Sequence, residues 1–446
     1  MSMRHHAKHH KVIPQAVHAE GGRILMQILH AGRYAYTPFC VAPSAIPSPI
    51  SRFKPRGLSA RGVERTIRDF VRSAVLAREA GYDGVEIMGS EGYLINQFVA
   101  PETNKRSDKW GGDFARQCRF PEEIIKRIRE AVGPDFAIMY RLSMLDLVAG
   151  GSNWEEVTRL AQIAEASGAN VINTGIGWHE ARIPTIATMV PRGGFRFVTK
   201  KLMGEVNVPL ITTNRFNNPA DCEAALSEGC ADMISMARPF LADPHLVKKA
   251  RLSRPEDINT CIGCNQACLD HVFKQKVASC LVNPRACHEG IYGMLPRPDA
   301  DQTSQARGGS LGSTLLGKRI AVLGGGPAGM SAAVERARHG ADVVLFEAKD
   351  ALGGQFLLAR NIPGKTEFDE TIRHFATQME HLGIEVRLSE RPNSGALDGF
   401  DEVIVATGVK PRALTIPGTD RPEVVSYVDV LEGRVTVGAR VAIVGA

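Results

Sequence analysis

Four cysteines near the middle of the chain have the spacing of a metal centre. Cys261, Cys264, Cys268 and Cys280 are separated by two, three and eleven residues. Thiolates are soft ligands, and a short loop can turn three of them toward one centre while a later segment supplies the fourth. On spacing alone a structural zinc ion fits as well as an iron-sulfur cluster, because zinc also takes four thiolates and its sites often begin Cys-x-x-Cys.

The segments on either side of the cysteines favour the cluster. A barrel-like alternation of strands and helices precedes them, and a dinucleotide-binding pattern follows them. The cysteines therefore occupy the position of an electron relay between two redox cofactors, and we predict a cluster segment at residues 256–289. The cysteines predicted to be packing residues are Cys40, Cys118, Cys222 and Cys230.

The dinucleotide pattern is a glycine-rich turn. Gly324, Gly326 and Gly329 follow the apolar run 319–323 and open a helix, and Glu347 ends the next strand eighteen residues after the last glycine. The glycines let a pyrophosphate approach the helix N-terminus, and the carboxylate can accept hydrogen bonds from the ribose hydroxyls. Strand, turn, helix, strand and acid together predict a Rossmann-like domain at residues 318–446.

Two further segments, 353–355 and 404–408, resemble flavoprotein signatures, so FAD is predicted in this domain rather than NAD. The predicted FAD contacts are Gly324, Gly326, Pro327, Ala328, Gly329, Glu347, Gly354 and Gln355. Residues 290–317 are rich in Pro and then in Gly and Ser, which is typical of a linker.

Before the cysteines, short apolar runs alternate with helical patterns. Strands are predicted at 24–29, 84–88, 137–142, 171–174, 209–213 and 233–237, and helices at 62–80, 120–131, 154–167 and 219–228. This α/β alternation implies a parallel sheet, and polar residues at the strand ends imply a (β/α)8 TIM barrel with its site on that face, at residues 1–255. Only six strands are visible, so we expect the first strands of the barrel to be missing.

The polar residues at these strand ends suit a flavin with a phosphate tail. They are Gln27, His30, Glu86, Arg141, His179, Asn214, Arg215 and Arg238. Arg141 can face a ring carbonyl, while Arg215, Arg238 and backbone N–H groups near Ala237 can hold the phosphate. We therefore predict FMN at the mouth of the barrel.

Length and charge restrict the class of protein. At 446 residues the chain should hold more than one domain, and its net charge of +6 is spread without a run of basic residues interleaved with aromatics, which argues against nucleic acid as a partner. No apolar run approaches the roughly 20 residues of a membrane span, and the N-terminus lacks the apolar core of a signal peptide. We predict a cytoplasmic protein without a membrane partner; the sequence leaves its oligomeric state open.

Together these motifs resemble a known family. The segments EIMGSEGYLIN (86–96), RSDKWGG (106–112), YRLS (140–143), NTGIGWHEAR (173–182), SMARP (235–239) and CIGCNQAC (261–268) resemble bacterial NADPH-dependent 2,4-dienoyl-CoA reductases. Those enzymes belong to the old-yellow-enzyme-related class that includes trimethylamine dehydrogenase and 2-enoate reductase. The resemblance covers nearly the whole chain and implies a role in the β-oxidation of unsaturated fatty acids.

The resemblance also implies roles for individual residues. The implied FMN contacts are Gln27, Arg141, Arg215, Ala237 and Arg238; the [4Fe-4S] ligands are Cys261, Cys264, Cys268 and Cys280; and the substrate contacts are Glu102, Thr103, Asn104, Lys105, His179, Glu180, Ala181 and Arg182. Tyr93 is the implied proton donor, with His179 assisting it, and Cys287 has no implied role. Reduction of a conjugated thioester requires a hydride at one carbon and a proton at another, so an acid opposite the flavin agrees with this chemistry.

The end of the sequence suggests that the chain is an interior fragment. Val441–Ala446 repeats the start of the glycine-rich fingerprint, strand then glycine, where the family's NADPH-binding segment would begin. The implied electron path is NADPH to FAD, cluster, FMN and an acyl-CoA thioester. We expect these 446 residues alone to bind FAD better than FMN and to lack NADPH-driven activity. A non-catalytic remnant that holds FAD and the cluster, a related enoate reductase and an amine dehydrogenase remain as alternatives.

Overall fold

The computed structural model describes residues 1–293, 315–412 and 416–445. Contacts between residues divide the chain into two units. The first consists of Met1–Ile186, Arg192–Phe216 and Ala220–Met236, and the second of Ala187–Pro191, Asn217–Pro219 and Ala237–Ala446. Residues 237–255, predicted with the barrel, therefore share the unit of the cysteine segment, and the predicted domain bounds stay a prediction. Most of the predicted linker at 290–317 lies outside the described residues.

The first unit is built on one parallel sheet. Its strands are β1 (Leu25–Ile28), β4 (Gly84–Gly89), β5 (Ala137–Leu145), β6 (Val171–Ile176), β7 (Leu210–Thr212) and β8 (Met233–Ile234), and they lie side by side in this order. A small separate pair joins β2 (Val41–Ala42) to β3 (Arg56–Gly57). All six predicted strands are confirmed, and their alternation with helices is the TIM-barrel arrangement that the sequence predicts.

The helices of this unit are α1 (Arg4–His10), α2 (Val12–Ala19), α3 (Ala60–Ala80), α4 (Leu94–Val99), α5 (Phe114–Val132), α6 (Trp154–Ala166), α7 (Arg196–Leu202) and α8 (Pro219–Ser227). Three of them, α3, α5 and α6, begin at a capping side chain. Ser59 caps α3 and Asn153 caps α6 in a capping box with Glu156. The helix α5 begins six residues before the predicted Phe120, because Asp113 caps it by accepting from the backbone N–H of Arg116.

The core of the first unit lies between the sheet and these helices. Val63, Ile67 and Phe70 recur at helical spacing along α3 and are buried, and so are Ile124 and Ile128 of α5. The strands β4 and β5 are buried along most of their length, as parallel strands covered by helices should be. This packing fixes the strand ends that carry the polar side chains.

The second unit contains a four-stranded parallel sheet with the order β11, β10, β9, β12. The strands of this sheet are β9 (Arg319–Leu323), β10 (Asp342–Phe346), β11 (Glu385–Arg387) and β12 (Glu402–Val405). The helices of the unit are α9 (Arg238–Ala242), α10 (Leu246–Arg251), α11 (Leu269–Phe273), α12 (Glu289–Tyr292), α13 (Pro327–Arg338), α14 (Phe356–Ala359), α15 (Phe368–His381) and α16 (Tyr427–Leu431). The succession β9, α13, β10 is the Rossmann-like unit that the sequence predicts.

Two predicted strands also differ from the structure. The strand β8 ends at Ile234 instead of residue 237, since the chain turns there and Ala237 already precedes helix α9. The predicted strand at Val441–Val444 has no regular secondary structure. Val441, Ile443 and Val444 are exposed, and among the described residues no strand pairs with them. In the described part of the chain, no helix is long and apolar enough to cross a membrane.

Candidate active site and cysteine pocket

Side chains within β1, β4 and β6 bring two amides onto one carboxylate, and Glu86 lies in the interior of β4 instead of at the predicted strand end. Gln27 lies opposite Glu86 in the sheet register, and Glu86 accepts from Nε2 of Gln27 at 2.6 Å and from Nδ2 of Asn173 at 2.7 Å. The Oδ1 atom of Asn173 is buried and has no hydrogen-bond partner among the described residues. A flavin ring carries both N–H donors and carbonyl acceptors, so an exposed amide beside an unpaired buried oxygen fits such a ring.

Arg141, predicted to face a flavin carbonyl, is paired with Glu91. Its Nη2 and Nε atoms lie 2.8 and 3.0 Å from Oε1 of Glu91, and both side chains are largely buried. Glu91 has a φ of 62°, in the left-handed region that non-glycine residues rarely adopt. Strained residues of this kind cluster at functional sites, and Glu91 lies two residues after the end of β4 and two residues before Tyr93.

The other predicted FMN contacts belong to different units. Asn214 and Arg215, directly after β7 in the first unit, are consecutive residues with φ of 72° and 65°, and the side chain of Arg215 is buried. Ala237 and Arg238 belong to the second unit, where Nη1 of Arg238 donates to Oδ1 of Asn265.

Tyr93, the candidate acid, is in contact with His179, the candidate base. Tyr93 precedes α4 after β4, and His179 lies in the turn after β6. Oη of Tyr93 lies 2.7 Å from Nε2 of His179, with the two rings edge to face. Burial, with help from Glu91, raises the pKa of Tyr93 to about 12. Burial also lowers the pKa of His179, although part of that ring is exposed. At neutral pH the pair is therefore a protonated phenol next to a neutral imidazole, which can pass on a proton.

Glu180, a predicted substrate contact, points into the protein. Its carboxylate accepts from Nη2 of Arg33 at 2.6 Å, from Oη of Tyr34 at 2.9 Å and from Oγ of Ser48 at 3.0 Å. Arg33, Tyr34 and Ser48 were not among the site residues predicted from the sequence. The only signal was the position of Arg33 and Tyr34, just beyond His30 at the carboxyl end of β1.

The predicted substrate segment 102–105 is divided between two roles. Thr103 and Asn104 are buried, and their side chains donate to the backbone carbonyls of Gln97, Phe98 and Trp110. Glu102 and Lys105 are exposed and form a loose ion pair at 3.5 Å. Thr103 and Asn104 therefore shape the loop, whereas Glu102 and Lys105 stay accessible. Ala181 is half-buried and Arg182 is exposed.

All four predicted cluster ligands line one pocket. Its lining includes Cys261, Cys264, Cys268 and Cys280 together with Arg238, Leu241, Ile262, Asn265, Ala267, Leu281 and Val282. Burial raises the pKa of Cys264 and raises that of Cys280 to about 12. The thiols must lose their protons to bind metal, so binding in this pocket would release protons.

The four thiols share this pocket, but among the described residues they do not form a single-ion site. In the described part of the chain, no three cysteine, histidine or acidic side chains are grouped closely enough to hold one metal ion. Zinc needs every sulfur at about 2.3 Å from the same ion, whereas in a [4Fe-4S] cluster the four thiolates are distributed over the cluster. Cys40, Cys118 and Cys230 are buried and Cys222 is half-buried, as predicted for packing residues, and Cys287 is exposed.

The three glycines of the glycine-rich turn differ in what would happen if each carried a side chain. Gly324 has a φ of 112°, and a Cβ there would lie 2.4 Å from the carbonyl oxygen of Ala406. A Cβ on Gly329 would lie 1.8 Å from the carbonyl oxygen of Gly324, so the close contact of helix and strand requires this glycine. Gly326 has ordinary backbone angles, and a Cβ there would meet only Cα of Gly354, at 3.8 Å. No neighbour requires a glycine at 326, and the open space before it fits a pyrophosphate.

Glu347 lies after β10 beside this turn. Its carboxylate accepts from the backbone N–H groups of Gly325 at 2.6 Å and of Lys349 at 2.8 Å. Gly354 lies against Gly326, since a Cβ on Gly354 would be 2.9 Å from Cα of Gly326. Pro327 is the first residue of α13, so the helix N-terminus faces the space that the glycines leave. The arrangement fits the adenine dinucleotide part of FAD.

Comparison with known proteins identifies the class of this chain. The chain belongs to the NADH:flavin oxidoreductase / NADH oxidase family, whose model matches residues 3–257. Residues 318–446 match the pyridine nucleotide-disulphide oxidoreductase family. These matches support FMN binding by the barrel domain and FAD or NAD(P) binding by the Rossmann-like domain.

Individual relatives are similar over almost the whole chain. A metal reductase of Desulforamulus reducens is 39% identical over 97% of this chain and 64% of its own length, and an NADH oxidase of Thermoanaerobacter brockii is 36% identical over 95% and 64%. The solved structure of 2-naphthoyl-CoA reductase with 2-naphthoyl-CoA is 33% identical with a TM-score of 0.88, over 97% of this chain and 66% of that one. The chain thus spans less than two thirds of the length of these relatives.

Proposed function

We propose that this chain carries the flavin-binding and cluster-binding parts of an iron-sulfur flavoprotein that reduces a conjugated acyl-CoA thioester, with 2,4-dienoyl-CoA as substrate and NADPH as the source of electrons. The observation that carries the proposal is the 2.7 Å contact between Tyr93 and His179 at the strand ends of a flavin-family barrel. A relative of similar fold binds an aryl-CoA thioester, which supports a thioester substrate.

Each residue of the barrel site has its own role in the proposed reaction. Gln27 and Arg141 would hold and orient the flavin ring, and Arg215 would contribute positive charge for its phosphate. Tyr93 would donate the proton to the substrate carbon that does not receive the hydride, and His179, an exposed residue, would replace that proton from solvent. Glu102 and Lys105, which stay accessible, would contact the substrate.

The groups that these residues would hold complete the chemistry. When bound, FMN would supply the hydride to the substrate, FAD would accept one from NADPH, and a [4Fe-4S] cluster on Cys261, Cys264, Cys268 and Cys280 would carry single electrons between the flavins. The single pocket shared by the four cysteines and the open space at Gly326 support this assignment.

A half-reaction tests the proposal without NADPH. The FMN-loaded protein, reduced anaerobically with dithionite, is mixed with hexa-2,4-dienoyl-CoA, and the flavin absorbance is followed. We expect rapid flavin oxidation by the thioester and little by the free hexa-2,4-dienoate, which is the matched control for the CoA group. Failure of the thioester to oxidise the flavin would contradict the proposal.

The same preparation separates the alternatives. An enoate reductase would be reoxidised faster by free cinnamate than by the CoA thioester. An amine dehydrogenase would show electron flow in the opposite direction, because dimethylglycine would reduce the oxidised flavin. Either of these two outcomes would replace the proposed substrate class.

A further inference from the structure

The buried carboxylate of Glu180 connects two loops around the candidate acid. It accepts three hydrogen bonds, of which that from Arg33 is an ion pair at 2.6 Å. The side chain of Glu180 is 13% exposed and that of Arg33 is 5% exposed. Arg33 and Tyr34 lie in the loop after β1, whereas Glu180 follows β6, so these contacts fasten the two loops to each other.

This carboxylate is connected to the Tyr93 and His179 pair by two routes. Glu180 directly follows His179 in the same turn. Tyr34, whose hydroxyl donates to Glu180, packs edge to face against both partners, with ring centroids 6.0 Å from Tyr93 and 5.8 Å from His179. A movement of Glu180 would therefore move the imidazole through the backbone and the packing of both rings through Tyr34.

Arg33, at the other end of the network, also contacts its surroundings at several points. The guanidinium of Arg33 donates to the carbonyl of Pro47 at 3.1 Å and lies 5.5 Å from the ring centre of Trp178. Nε1 of Trp178 donates at 2.7 Å to Asp146. Trp178 directly precedes His179, so the turn is held on both sides of the imidazole. Removal of the carboxylate would leave the buried Arg33 without its partner charge, which is costly.

We propose that Glu180 is a positioning residue that holds His179 and Tyr93 at the separation needed for proton delivery, and not a substrate contact. The inference rests on the proposed function of Tyr93 as the acid. A substrate contact would change mainly the substrate concentration at which reoxidation is half-maximal. A positioning residue changes mainly the limiting rate, and it does so only while Tyr93 is present.

A double-mutant cycle provides the test, with reoxidation of the dithionite-reduced flavin by hexa-2,4-dienoyl-CoA as the rate. Glu180→Gln should slow the limiting rate about 10- to 100-fold, the size expected when a catalytic group is displaced by about 1 Å. In the Tyr93→Phe background the same substitution should cost less than about twofold, because coupled residues are not additive. Glu205→Gln, on an exposed side chain of the same unit, is the matched control and should leave the rate unchanged.

Two outcomes contradict different claims. If Glu180→Gln costs the same factor with and without Tyr93, or acts only on the half-saturating substrate concentration, the positioning role is wrong. If Tyr93→Phe alone has no effect, the proposed function is wrong instead. Should Glu180→Gln fail to fold, Tyr34→Phe removes one hydroxyl from the carboxylate while keeping the ring, and its loss of rate should show the same dependence on Tyr93.

A second measurement does not depend on turnover. The ring nitrogens of ¹⁵N-labelled histidine, recorded on flavin-free protein at a pH where His179 is neutral, report its hydrogen bonding, and His179→Gln assigns the signal. We expect Glu180→Gln to shift the Nε2 resonance of His179 as Tyr93→Phe does, whereas Glu205→Gln should not. An unchanged resonance in Glu180→Gln would overturn the inference.

Discussion

The two candidate flavin sites are built in opposite ways. In the barrel unit the site consists of polar side chains that bind other side chains of the protein. Arg141 is ion-paired with Glu91, and Gln27 is hydrogen-bonded to Glu86. In the Rossmann-like part the site consists mainly of backbone, with Glu347 as its charged side chain, and its main feature is the missing side chain at Gly326. A site of the first kind should respond to substitution in graded steps, whereas one added side chain should abolish a site of the second kind.

The largest effect is expected from the glycine turn. Gly329→Ala would place a Cβ 1.8 Å from the carbonyl oxygen of Gly324, so helix and strand must separate. Overpacking typically costs about 1–3 kcal/mol and occasionally more, and a clash with a backbone oxygen should lie at the upper end of this range. Gly326→Val adds a side chain whose Cβ would have only Cα of Gly354 within 4 Å, at 3.8 Å, so the variant should fold and lose FAD. Thermal unfolding and FAD content measure the two effects, and a stable Gly329→Ala protein or a Gly326→Val protein with normal FAD would contradict this account.

The next effect concerns the cysteine pocket. Anaerobically purified protein should contain iron and acid-labile sulfide in equal amounts, and Cys264→Ser should lose both because a cluster needs all its ligands. Cys287→Ser, on the exposed cysteine outside the pocket, is the control and should keep both. Zinc without sulfide in the parent protein would show that the pocket holds a single structural ion.

The smallest expected effect is that of pH on the rate of flavin reoxidation. Because burial raises the pKa of Tyr93 to about 12, its phenol stays protonated at pH 10, where a tyrosine with the ordinary pKa of about 10 is half ionised. Reoxidation of the reduced flavin by hexa-2,4-dienoyl-CoA should therefore change less than about twofold between pH 8 and pH 10 on account of this group. The phenol would have an ordinary pKa if the reoxidation rate at pH 10 were half the rate at pH 8, and if this decrease were absent in Tyr93→Phe.

Local patterns were enough to predict most of the fold. The barrel strands and β9, α13 and β10 follow from apolar runs, caps and glycines that act within a few residues. The prediction of a strand at Val441–Val444 was wrong because a strand also needs a pairing partner, and the described residues provide none. Sequence composition cannot show whether such a partner is in place.

The interior of the site could be predicted only in part. Tyr93 and His179 were chosen from the resemblance, and their contact spans 86 positions of the chain. The inward turn of Glu180 depends on Arg33 and Ser48, which are 147 and 132 positions away. No local signal distinguishes a carboxylate that faces a substrate from one that faces a buried guanidinium, because that choice depends on the packing of two loops.

The central claim is that Tyr93 is the proton donor of a flavin-dependent reduction. In the FMN-loaded protein, Tyr93→Phe removes one hydroxyl and keeps the ring that packs against Tyr34 and His179. Tyr82→Phe, which removes a hydroxyl bonded to His10 on the same unit, is the matched control. With dithionite-reduced protein and hexa-2,4-dienoyl-CoA, we predict that Tyr93→Phe slows flavin reoxidation roughly 10²- to 10⁴-fold while Tyr82→Phe leaves it unchanged; equal rates in the two variants would contradict the account.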